Sequence, residues 1–252
     1  VSDSVESIGA GAFKGFNSLE SITLPFVGKN DGAVGYEAVF GYIFGYTETH
    51  SSTYGSYSDP SGYVQKPNPT SSSSYAVTTL QYASEYGSRY SNYYYNIPAT
   101  LTNVTLTMDT TLPLAAFNNC DKIENITIPN STTSIGNDVF RNCSALNRLN
   151  SDSNGVFNIP TTINAISNYA FYNCSLVETI TLSDNVTSIG KYAFSGCALT
   201  SKFNSLNTTE LVVPDSCLEI GEFAFEGMAL MTNVIVSDSV ESIGAGAFKG
   251  FN

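Results

Sequence analysis

The sequence has no tryptophan, three methionines and one histidine, and its ten Lys and Arg residues face 22 Asp and Glu. A formal net charge of -12 repels a phosphate backbone or an anionic membrane surface, which excludes nucleic acid as an expected partner. No stretch approaches the roughly 20 consecutive apolar residues of a membrane-spanning helix, so no membrane insertion is expected in this segment. His50 stands alone in the polar run Thr47-Glu48-Thr49-His50-Ser51-Ser52, with no second histidine to complete a triad or metal site. There is no G-x-S-x-G, no H-E-x-x-H and no glycine loop of the phosphate-cradling kind. A carboxylate pair alone can cleave a glycosidic bond, but nothing in the sequence marks such a pair. The reading is therefore a non-enzymatic chain, with no catalytic residue, no metal site and no cofactor.

Hydrophobic residues make up 42% of the 252, enough for a substantial core. The polar remainder is rich in Ser, Thr, Asn, Gly and Tyr, a composition common on secreted surfaces. Extracellular or cell-surface placement is expected. The first residues do not resemble a signal peptide, and the chain reads as beginning inside a repeat.

Two repeats are written into the sequence. Residues 1–17, VSDSVESIGAGAFKGFN, recur letter for letter at 236–252, an offset of 235. This predicts a head-to-tail array of long units. Within the unit, the phrase I-G-x-x-A-F-x-x-C is anchored by Phe13, Phe117, Phe140, Phe171, Phe194, Phe225 and Phe248. From Phe117 onward the anchors are 23, 31, 23, 31 and 23 residues apart, a two-repeat module whose second member carries eight extra residues. The 104 residues from Phe13 to Phe117 equal 31 plus 73, so one repeat has taken in a large insert.

Between anchors lies a short alternation, as in Leu19-x-x-Ile22-x-Leu24, Ile123-x-x-Ile126-x-Ile128 and Val177-x-x-Ile180-x-Leu182, which reads as a strand. Pro25, Pro129 and Pro214 end the pairing. An Ile-Gly pair comes next, then the Ala-Phe phrase, expected to form one helical or 3-10 turn. Leu112-Pro113 and Ile166-Ser167 replace Ile-Gly, with a local change of turn and no loss of stacking expected. A 23-residue unit cannot bury its apolar side alone, so the fold is expected to be a solenoid, mostly β with short turns. Six repeats at one strand spacing each predict an advance of roughly 29 Å per unit.

The combination of L-x-x-I-x-I-P with S-I-G-x-x-A-F-x-x-C resembles the BspA-like leucine-rich repeats of bacterial and protozoan surface proteins. The resemblance covers the repeats and not the insert. It implies a leucine-rich repeat stack in a cell-surface adhesin or structural protein, and it supplies no catalytic residues. The expected organisation is a first repeat at 1–25, a Tyr-rich insert at 26–97, five stacked repeats at 98–235 and the start of the next unit at 236–252.

Cys120, Cys143, Cys174 and Cys197 sit three residues after their anchors, where other repeats place Met228, Phe16 and Phe251. A position shared by Cys, Met and Phe reads as a buried apolar slot, so free core thiols are favoured over disulfides between neighbours. Cys217 lies off this column. Seven N-x-S/T sequons occur, at Asn103, Asn125, Asn130, Asn142, Asn173, Asn185 and Asn207, close to what the composition yields by chance.

The insert holds 13 of the 16 tyrosines, too many aromatics for a disordered linker, and is expected to be a small folded excursion packed on the solenoid edge. The rings form either the insert's own core or an adaptable contact surface. Tyr93, Tyr94 and Tyr95, with Tyr54, Tyr57 and Tyr63, are the candidates for an exposed patch. The expected partners are other units of the same array, head to tail or side by side, and alternatively a surface protein or glycan bound by the insert.

Overall fold

The computed structural model describes residues 1–45, 76–85, 89–150, 156–205 and 207–251. Each repeat contributes to three columns that run along a stack. The strand column starts as a four-stranded parallel sheet of Ser21–Leu24, Asn103–Leu106, Asn125–Thr127 and Arg148–Leu149. It continues as a five-stranded parallel sheet through Phe157–Asn158, Thr179–Thr181, Lys202–Phe203, Glu210–Val212 and Asn233–Ile235. In-register pairing puts Ile22, Val104, Ile126 and Leu149 in one buried row and their neighbours outward, which is why the sequence alternates.

The second column is the Ile-Gly ladder, Ala165–Ile166, Ser188–Ile189, Glu219–Ile220 and Ser242–Ile243, with Thr111–Leu112 paired to Ser134–Ile135 before it. Its glycines are there because backbones touch: a Cβ at Gly190, Gly221 or Gly244 would come within 2.4–2.7 Å of a backbone nitrogen of the preceding repeat. Leu112 and Ile166 stay buried and paired in spite of their altered neighbours. Ser167 uses the space of the missing glycine by donating its hydroxyl to the Ile135 carbonyl at 2.6 Å.

The third column is made by the anchors. The Ala-Phe phrases form hydrogen-bonded turns rather than the expected helical turns, and the 3-10 helices among the described residues are Gly35–Glu37 and Phe40–Phe44. Left-handed residues on both sides of each anchor prevent a helix from propagating, for example Ala115 and Asn119, both at φ 58°, around Phe117. The turn instead points its N–H groups along the stack. Phe117 donates to Val139, Phe140 to Ala170, Phe171 to Ala193 and Phe194 to Ala224, each carbonyl lying just before the next anchor. The rings stack nearly parallel with centroids 5.3–5.8 Å apart from Phe117 to Phe248.

Two expectations need correction. Residues 26–45 are not an excursion on the edge but part of the stack. Phe13 donates to the carbonyl of Ile43 as other anchors do to the residue before the next anchor, so Phe44 takes an anchor position. Phe40 then donates to Ala116 and its ring lies 5.1 Å from Phe117, closing the column. Phe44 stands 31 residues after Phe13, so the extra 73-residue spacing falls between Phe44 and Phe117. Within that spacing the chain forms an antiparallel hairpin, Ala76–Glu85 with Arg89–Pro98.

The second correction concerns the advance per unit. One rung per repeat holds in the Ile-Gly column but not in the strand column, where the eight extra residues of the 31-residue repeats form strands of their own, Phe157–Asn158 and Glu210–Val212. The expected 29 Å is therefore too short.

Phe194 is fully buried between Phe171 and Phe225. Replacing it by Ala is expected to cost about 3–5 kcal/mol, read from denaturant unfolding. A loss below about 1 kcal/mol would show that the anchor column does not hold the repeats together.

Candidate functional surfaces: the insert junction and the two ends of the stack

The described residues hold no group of three or more His, Cys, Asp or Glu placed to bind a metal ion. No helix among them is long and apolar enough to cross a membrane. The surfaces with a functional bearing are the place where the insert leaves the stack and the two ends.

Of the tyrosines expected to form a patch, Tyr54, Tyr57 and Tyr63 lie outside the described residues. Tyr93 and Tyr94 lie on the Arg89–Pro98 strand, where only the backbone is described. Tyr95 is not a surface residue: it is 1% exposed, and its side chain packs against Gly41, where a Cβ would sit 2.4 Å from the ring. The strand's own alternation explains this, since Tyr95 and Ile97 face the core together. The run of three tyrosines thus contributes at least one anchor that ties the hairpin to Phe40–Phe44. Asn96 adds a backbone bond to Gly45 at 3.1 Å.

A buried carboxylate secures the other side of the same junction. Asp109 accepts the N–H of Val27 at 2.8 Å across 82 residues of sequence. Burial pushes its pKa up to about 7, against the pull of the Val27 hydrogen bond, and the nearby Asp31 adds to the rise. The folded state therefore favours the protonated acid. Its contribution to stability is complete below the ordinary carboxylate range, declines as the pH rises from about 4 to about 7, and stays lost above that. The Asp109→Asn variant is expected to gain on the parent protein by about 2–4 kcal/mol between pH 4 and pH 8, measured as the difference of their unfolding free energies. Equal pH dependence of the two would show that Asp109 ionises freely.

The four column cysteines and Cys217 are free and buried. Cys143, Cys174 and Cys197 donate their thiols to the carbonyls of Phe117, Phe140 and Phe171 at 3.0, 3.2 and 3.4 Å. Burial raises the pKa of every one of them, to about 12 for Cys197, so thiolate is scarce and disulfide exchange is suppressed. The native protein is expected to resist an alkylating reagent and to take up five equivalents once unfolded without reductant, read by intact mass. Uptake of fewer than five in the unfolded state would reveal a disulfide.

Beside the thiols runs an asparagine ladder. Asn142 donates its side-chain amide to Asn119 at 2.8 Å, and Asn173 donates to Asn142 at 3.0 Å. All three residues have φ near 58°, and later repeats place Gly196, Gly227 and Gly250 there, also at positive φ. The sequons at Asn142 and Asn173 are thereby explained as a backbone requirement, because asparagine is the residue besides glycine that tolerates this conformation and can bond its neighbour.

The ends carry the same 17 residues in opposite roles. At 236–252 the phrase packs on the repeat before it. Gly244 donates to Ile220, and the carbonyls of Ala245, Ala247 and Lys249 accept from Phe223, Phe225 and Gly227 at 2.8–3.0 Å. At 1–17 it packs on the repeat after it. Ile8 donates to Lys29, Gly11 to Tyr42 and Phe13 to Ile43 at 2.7–3.0 Å. These are different atoms of one motif. Ile8 is 6% exposed under its cover, while the equivalent Ile243 is 52% exposed.

Comparison with known proteins agrees with this architecture. The model of the BspA type leucine rich repeat region matches the chain in six copies, over residues 1–30, 87–201 and 200–252. No curated protein matches it. Among solved structures, a leucine-rich repeat protein from Bacteroides ovatus is similar at 24% identity with a TM-score of 0.51, over 69% of this chain and 44% of its own. The leucine-rich repeat protein of T. pallidum is similar at 25% identity with a TM-score of 0.49, over 58% of this chain and 64% of its own. The chain thus spans less than two thirds of either protein.

Proposed function

The chain belongs to the BspA-type leucine-rich repeat family, and from that footing we propose that it is a non-enzymatic structural protein of the cell surface or extracellular space, in which units of this kind continue one solenoid head to tail as a filament. The observation that carries the reading is the double use of the 17-residue phrase. Its back face, seen at 236–252, and its front face, seen at 1–17, employ separate hydrogen-bonding groups, so one copy can engage both neighbours at once. A solenoid with ends of this kind continues without a cap.

Supporting this, Ile235 and Ile243 are 46% and 52% exposed at the C-terminal end, a face that a following unit would cover. The acidic, cation-poor composition keeps such an array soluble and away from anionic surfaces. The buried thiols and neutral core give it nothing to catalyse with.

The test is a two-unit chain in which residues 18–252 are repeated after Asn252. In the single unit the amides of Gly246 and Phe248 lie on the open face. In the two-unit chain they should meet the second copy of residues 26–45, and their hydrogen exchange should slow by at least about tenfold. Exchange as fast as in the single unit would mean that the phrase does not join units, and the filament reading would fall.

A further inference from the structure

The eight residues by which the longer repeats exceed the shorter ones add material to one side of the stack alone. Between Thr179–Thr181 and Asn233–Ile235 the strand column takes three hydrogen-bonded parallel steps, through Lys202–Phe203 and Glu210–Val212. Over the same two repeats the Ile-Gly column takes two, from Ser188–Ile189 through Glu219–Ile220 to Ser242–Ile243. The anchor column also takes two, with rings 5.3 and 5.8 Å apart. Every ladder is continuous, so the surplus rung is not absorbed by a gap. The ring of Phe203 fills the space it creates, edge-on to Phe194 at 5.0 Å and 83° and to Phe225 at 5.2 Å and 86°.

We infer that each 31-residue repeat of this form is a wedge that bends the stack toward its Ile-Gly side, so that an array of these units coils instead of running straight. One surplus rung of about 4.8 Å across layers about 10 Å apart corresponds to a bend of about 25–30°. A groove of about 540 Å³ lies on the side that this bend makes concave, lined by Ile189, Gly190, Ile220, Gly221, Ile243 and Gly244 among others.

The repeat from Phe140 to Phe171 is built alike, with Phe157 edge-on to Phe171 at 5.4 Å and 83°. There both ladders are interrupted, Arg148–Leu149 belonging to a different sheet from Phe157–Asn158, and Ser134–Ile135 to a different one from Ala165–Ile166. Side chains bridge the break, the Asn137 side-chain oxygen accepting the backbone N–H of Asn168 at 3.1 Å. The first wedge is therefore the looser of the two and the second the rigid one. The bend within one unit stands on these ladders alone; coiling of the array rests additionally on the tandem reading.

Deleting residues 204–211 from the full chain joins Phe203 to Val212 in register, because Phe203 and Leu211 are ladder partners, and turns the 31-residue repeat into a 23-residue one. In a crystal structure of this variant the repeats anchored by Phe171 and Phe248 should straighten by about 25–30° relative to the parent. Insertion of the same eight residues after Ile180 of the parent should increase the bend by a similar angle and decides the question if the deletion does not fold. A folded variant of either kind with the parent's angle would overturn the inference. Because both measurements use single units, they fail or succeed independently of the exchange test on the two-unit chain.

Discussion

Each anchor phenylalanine gives its amide hydrogen to the carbonyl just before the next anchor, and this one bond per repeat sets the spacing on which the stack depends. It places ring on ring, leaves no room for a Cβ in the Ile-Gly turns and fixes the strands in register. The turn can offer that N–H outward because the residues two before and two after the anchor are left-handed. Asn, Gly and Asp hold such positions at low cost, and the stack uses all three. Tyr169, Tyr192 and Phe223 also adopt this conformation, and their rings stack at 5.0 and 4.9 Å, so contact between repeats offsets a backbone that bulky residues disfavour.

Much of this is legible in the sequence because the repeat is written in residues that have few alternative uses. Alternating Ile-x-Ile, Ile-Gly and Ala-Phe mark the columns, and the 23 and 31 spacings mark their order. Phe44 is hidden because its phrase, Phe40-Gly41-Tyr42-Ile43-Phe44, has none of the Ile-Gly-x-x-Ala-Phe lettering, although its distance from Phe13 carries the 31-residue spacing. The additional strands are hidden because two or three residues, Lys202–Phe203 or Glu210–Val212, are too few to show a period. Counting three consecutive tyrosines places Tyr95 at the surface. A strand sends alternate side chains to opposite faces, and Tyr95 faces inward onto Gly41.

Function in this protein stems from incompleteness. An ordinary domain closes its core, whereas here the last rung leaves Ile243 half exposed and the first keeps its equivalent, Ile8, covered. The same sequence is stable with either face bonded, which is what a building element for a linear assembly requires. Stability is correspondingly local, with each repeat answering to its neighbours. The junction of the insert is tied from two directions, by the Asp109–Val27 bond and by Tyr95, so whatever projects from the stack is held to its core by buried contacts.

The central claim, that units continue one stack, is tested most directly by electron microscopy of native material holding several units, with the axial repeat read from averaged images. Seven anchor rungs and nine strand rungs per unit at about 4.8 Å each predict a periodicity between about 34 and 43 Å, with the shorter limit on the concave side. Particles one unit long, or beads separated by flexible connections without this periodicity, would contradict a continuous solenoid.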